Sequence, residues 1–105
     1  MSEVIYEVNI RIQKEVEEKF LEWLKAHANS MLQFQGFASA DIYRRNPEDE
    51  SLTDFNHSYI TVQYHVSEKI HLEKYLQEHA CKMREEAHLN FGDFYEAHRR
   101  VLYHI

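Results

Sequence analysis

Apolar and polar positions alternate through the first dozen residues. Val4, Tyr6, Val8, Ile10 and Ile12 fall on one side, and Ile5, Glu7, Asn9 and Arg11 on the other. A period of two with one apolar face predicts a strand covered on one side only. From Lys14 the period changes. Val16, Phe20, Trp23, Leu24, Ala28 and Met31 recur at three- and four-residue steps, with Lys14, Glu15, Glu17, Glu18, Glu22 and Lys25 between them. This predicts an amphipathic helix from about Lys14 to Leu32. Gly36 is its expected stop, in a short QFQGF connection.

A second strand is predicted over Phe37 to Arg45. The acidic run NPEDESLTD, with the only proline, then reads as a solvated loop. A third strand fits His57 to Val66, with Ile60, Val62, Tyr64 and Val66 on one face and His57, Tyr59, Thr61, Gln63 and His65 on the other. Ser67 is the expected N-cap of a second helix, because its hydroxyl can accept from a free N–H of the first turn. That helix is expected to run unbroken to about Asn90, with Leu72, Tyr75, Leu76, Ala80, Met83 and Ala87 as its buried stripe. Gly92 ends it. A last strand is predicted from about Phe94 to His104, with Tyr95, Ala97, Val101, Tyr103 and Ile105 toward the helices and Glu96, His98 and Arg100 away from them.

The resulting order is β-α-β-β-α-β. Two helices cannot cover both faces of a four-stranded sheet, so both are expected on one face. The prediction is a single α+β domain over residues 1–105, a ferredoxin-like sandwich with an antiparallel sheet in the order 4-1-3-2.

Composition narrows the function classes. Hydrophobic residues at 44% and charged residues at 29% fit a globular chain rather than a disordered one. A formal net charge of -6 argues against nucleic acid as a partner, which requires a basic surface. One cysteine, Cys81, excludes an internal disulfide and a cysteine-rich zinc site. The eight histidines lack close ligand spacing; His71 and His79 stand about 12 Å apart along one helix. No metal and no cofactor is therefore expected. No apolar run approaches the roughly 20 residues of a membrane span, and the N-terminus lacks a secretory layout. The expectation is a soluble cytoplasmic protein without a membrane partner.

Several separated segments carry a resemblance. IYEVNI, FLEWLKAHANSML, QGF and YLQEHACKMREEAHLNFGDFYEAHRRVL resemble, in the right order, a bacterial family of unknown function, domain of unknown function 4286. The resemblance covers nearly the whole chain and is weakest around Asn46 to Phe55. It implies a dimeric α+β barrel and brings no activity with it. The architecture is also similar to small cofactor-independent oxygenases, haem-degrading monooxygenases and stress-responsive barrel proteins. That is analogy of fold, and fold does not imply function.

The sheet face turned away from the helices carries the chemistry. Its expected members are Glu7, Asn9 and Arg11 from strand one, Tyr59, Thr61, Gln63 and His65 from strand three, and Glu96, His98 and Arg100 from strand four. The candidate ligand-binding set is Glu7, Asn9, Tyr59, His65 and Arg100, with Glu7 within reach of either His65 or Arg100. The favoured reading is a homodimer formed through this face, acting as a small-molecule-binding or regulatory module. An enzyme reading gives a cofactor-independent oxygenase or isomerase, with His65 or Glu7 as base and Asn9 and Arg100 stabilising an oxyanion. No catalytic motif supports it. A third reading is a structural interaction protein with no pocket.

Overall fold

The computed structural model describes residues 3–105. Strand β1 spans Val4–Gln13, and a short 3-10 turn over Lys14–Val16 leads into helix α1, Glu17–Met31. Strand β2 covers Phe37–Arg45, a 3-10 turn covers Pro47–Glu50, and strand β3 covers His57–Val66. Helices α2, Lys69–Glu78, and α3, Ala80–Phe91, follow. A last 3-10 turn, Gly92–Phe94, precedes strand β4, Tyr95–Tyr103. The four strands form one antiparallel sheet in the order β2-β3-β1-β4.

The period of two is what selects the buried face. Val4, Tyr6, Val8, Ile10 and Ile12 of β1 are buried, with Ile60, Val62, Tyr64 and Val66 beside them on β3. They meet Phe20, Leu24, Ala28 and Met31 of α1, and Leu72, Tyr75, Ala80 and Met83 of α2 and α3, in one apolar cluster. All three helices therefore lie on one sheet face, and among the described residues no layer covers the other. Among the described residues no helix is long and apolar enough to cross a membrane.

Gly36 makes the α1–β2 connection workable. Its φ of 86° lies where only glycine is unstrained, and a Cβ there would stand 2.5 Å from the His71 ring. The same close approach lets Ser67 N–H donate to Gly36 O at 2.8 Å. Ser67 is thus not the N-cap. Glu68 holds that position, and its side chain makes no capping bond.

The helix expected to run unbroken to Asn90 is two helices, separated at His79 (φ -129°, ψ -23°). On a continuous helix His79 would fall mid-stripe, between Tyr75 and Met83. His79 stacks on the Phe34 ring at 4.6 Å with its side chain 45% exposed, and Ala80 is buried. Burying an unpaired imidazole would cost more than one interrupted turn.

Strand β4 also departs from expectation. Tyr103 and Ile105 are exposed rather than packed under the helices. Arg99 lies on the helix face, opposite Val8, because alternation from Tyr95 and Ala97 leaves it no other side.

Candidate functional site

The uncovered sheet face is assembled by register. Glu7 stands opposite Gln63 on β3 and Arg100 on β4; Asn9 stands opposite Thr61 and His98; Arg11 stands opposite Tyr59 and Glu96. Strand β2 adds Asp41, Tyr43 and Arg45 to the same face, opposite Gln63, Thr61 and Tyr59.

Glu7 is the centre. Its side chain is only 4% exposed although no layer covers this face, because neighbouring long side chains close over it. Its carboxylate accepts from Arg100 Nε, from Gln63 Nε2 at 3.0 Å and from Asn9 Nδ2 at 3.2 Å. Burial alone would push the Glu7 carboxyl up. The hydrogen bonds from Arg100, Gln63 and Asn9 outweigh burial and hold it below its ordinary value. Asn9 Oδ1 in turn accepts from Thr61 Oγ1 at 2.7 Å and from Arg45 Nη1 at 3.0 Å. Arg45 lies over the Tyr59 ring, 5.5 Å from its centroid, with Nε 3.0 Å from Glu50 Oε2. One polar network thus crosses all four strands. Glu7, Asn9, Tyr43, Arg45, Gln63 and Arg100 line an open depression of about 420 Å³ above it.

Two further groups of side chains stand at the ends of the face. At one end Asp54 holds Arg11 and approaches His57 Nδ1 at 2.7 Å and Tyr59 OH at 3.4 Å. Arg11 first, then His57 and the Asn56 N–H, keep the Asp54 carboxyl well below the usual carboxylate range. At the other end His65 Nε2 lies 3.2 Å from Asp41 Oδ2.

Of the five expected site residues, Glu7, Asn9 and Arg100 share one network, and Tyr59 joins it through Arg45. His65 does not: it stands opposite Ile5, one same-face step beyond Gln63 along β3, so the Glu7–His65 contact is absent and Glu7–Arg100 is formed. The acidic loop is not merely solvated, since Glu50 and Asp54 fold back onto the basic groups of the face. Sequence reasoning missed Arg45 and Tyr43. The alternation Asp41, Tyr43, Arg45 against Ala40 and Ile42 was the available signal. Among the described residues, no group of three or more His, Cys, Asp or Glu side chains could hold a metal ion.

Residues 3–105 match the family described as domain of unknown function (DUF4286). The chain belongs to that family. Among solved structures it is similar to the de novo designed protein Foldit4, at 17% identity and a TM-score of 0.65, over 95% of this chain and 96% of that one. This likeness shows a shared fold alone. A structure described as a putative PII-like signaling protein from Thermus thermophilus aligns at 18% identity over 100% of this chain and 94% of that one, with a TM-score of 0.38. At that score it carries no argument for the DUF4286 chain. No curated protein matches.

Proposed function

We propose that this ferredoxin-like chain is a small homodimeric binding or regulatory module of the cytoplasm. Two copies pair through their uncovered sheet faces as a dimeric α+β barrel, and the depression around Glu7 and Arg100 takes a small anionic ligand. The observation that carries this reading is the buried Glu7 at the middle of a face without a covering layer. It holds Arg100 through Nε, and the Arg100 side chain, 64% exposed, lines the depression. Such a guanidinium pairs well with a carboxylate or phosphate. Exposed Tyr43, Leu52 and Phe55, from β2 and the loop that follows it, supply apolar contact area for a second copy.

The enzyme reading is weaker on the same geometry. A carboxylate held ionised by Arg100, Gln63 and Asn9 is a poor general base, and His65 stands with Asp41 away from the network.

Light scattering after gel filtration, combined with a thermal-shift screen of small carboxylates and phosphate esters, tests the proposal. The expected result is twice the monomer mass and a stabilising anion whose effect is lost in Arg100→Gln. A monomer at high concentration, or a screen in which no anion's stabilisation depends on Arg100, overturns it.

A further inference from the structure

The side chains packed between β4 and α3 form a second polar cluster, on the helix side of the sheet. Arg11, Arg44, Arg45 and Arg100 each pair with a carboxylate. Among the described residues Arg84 and Arg99 do not, although Asp and Glu total 18 in the chain. They turn to phenols instead. Arg84 Nη2 donates to Tyr6 OH at 3.1 Å, and Arg99 Nη2 to Tyr95 OH at 3.4 Å.

Each of those phenol oxygens accepts from a guanidinium and keeps its own proton to donate. Burial raises the pKa of Tyr64, Tyr75 and Tyr95, which keeps those hydroxyls protonated. The cluster is rich in donors and poor in acceptors. Of the nearby carboxylates, Glu86 lies 3.6 Å from His27 Nδ1, and Glu85 lines the same groove as Arg84 and Arg99 without pairing either of them. Arg84, Tyr95 and Arg99 line an open groove of about 470 Å³. The same three residues, with Tyr6, border a space of about 30 Å³ behind it, large enough for one or two waters.

We propose that Arg84 and Arg99, with the Tyr95 hydroxyl, bind the phosphate group of a small ligand in the groove between β4 and α3. Two guanidinium forks and the Tyr95 phenol proton exceed the acceptor capacity of one carboxylate and suit the three terminal oxygens of a phosphate ester. The groove leaves the organic body of the ligand on the surface, over Ala97 and His88. This site is on the opposite side of the sheet from Arg100 and does not depend on the dimer.

Inorganic phosphate, titrated at constant ionic strength against the full chain, is the probe, with acetate as comparison and binding read by calorimetry and by tyrosine ring resonances. Saturable phosphate binding that moves the Tyr6 and Tyr95 signals is expected. Arg84→Gln and Arg99→Gln should each weaken it about tenfold or more, the loss of one charge-assisted contact, while Lys25→Gln, equal in charge change but remote, leaves it intact. If a glutamine variant fails to fold, the wild-type resonance map decides alone. Phosphate binding that moves only signals of the Glu7 face, or that is lost in Arg100→Gln but not in the Arg84 and Arg99 variants, overturns the proposal. So does absence of saturable binding, or acetate binding as tightly as phosphate.

Discussion

Glu7 and Arg100 form an ion pair whose two halves differ in exposure: the Glu7 side chain is 4% exposed and the Arg100 side chain 64%. The pair is therefore asymmetric to mutation. Glu7→Ala leaves Arg100 in water, so its cost is that of Gln63 and Asn9 losing an acceptor, about 1–3 kcal/mol. Arg100→Ala strands a buried carboxylate. It should raise the Glu7 pKa, cost more than Glu7→Ala at neutral pH, and recover part of the loss as acid protonates Glu7. Chemical denaturation of both variants at two pH values checks the order; an equal or reversed order would show that Glu7 is solvated in the folded chain.

Asn9 joins the Glu7 half of the network to Arg45. A double-mutant cycle with Asn9→Ala and Arg45→Met should give a coupling of about 0.5–3 kcal/mol, because the residues share a hydrogen bond. Additive effects would mean that the two halves are independent.

Gly36→Ala should be strongly destabilising, by about 1–3 kcal/mol for backbone strain alone. The added Cβ also meets the His71 Cβ at 2.6 Å, which no rotamer change relieves. Gly92→Ala meets no atom within 4 Å and keeps only the strain of its φ of 48°. Thermal unfolding should rank Gly36→Ala as the more damaging.

His27 stacks on Trp23 at 4.5 Å and is 13% exposed. Burial lowers its pKa from the ordinary 6.5, and Arg99 adds to this, while Glu86 opposes. The fold thus prefers neutral His27. Its contribution is complete above the unfolded pKa and is lost as pH falls below it. The depressed carboxylates Glu7, Glu17 and Asp54 also favour higher pH, but they act below their own ordinary values near 4. Between about pH 7 and 5 the melting temperature should fall, and His27→Gln should flatten that slope. An unchanged slope would show that His27 titrates as a surface histidine.

Much of the fold was legible in the chain itself. The switch from alternation to three- and four-residue spacing, near Gln13 and again near Ser67, separates strand from helix. Strands β2 and β3 occupy the residues that alternation indicates. Alternation also places Glu7, Asn9, Tyr59, His65 and Arg100 on one face. It says nothing of which of them touch.

Periodicity is a local property, since the pleat of a strand and the turn of a helix dictate which neighbours share a side. From it follow the elements, the single apolar layer and the uncovered polar face. Contacts between distant residues depend instead on register and on packing. Arg45 reaches Asn9 across 36 residues, and Arg84 reaches Tyr6 across 78. The break at His79 depends on what the helix packs against, because only the core makes an inward imidazole costly. A one-residue change of register in its strand would turn Arg45, Asn9 or Tyr6 to the other face. So the sequence alone determined which residues could meet, and the tertiary structure decided that Glu7 closes on Arg100 and that Arg84 and Arg99 stand without a carboxylate.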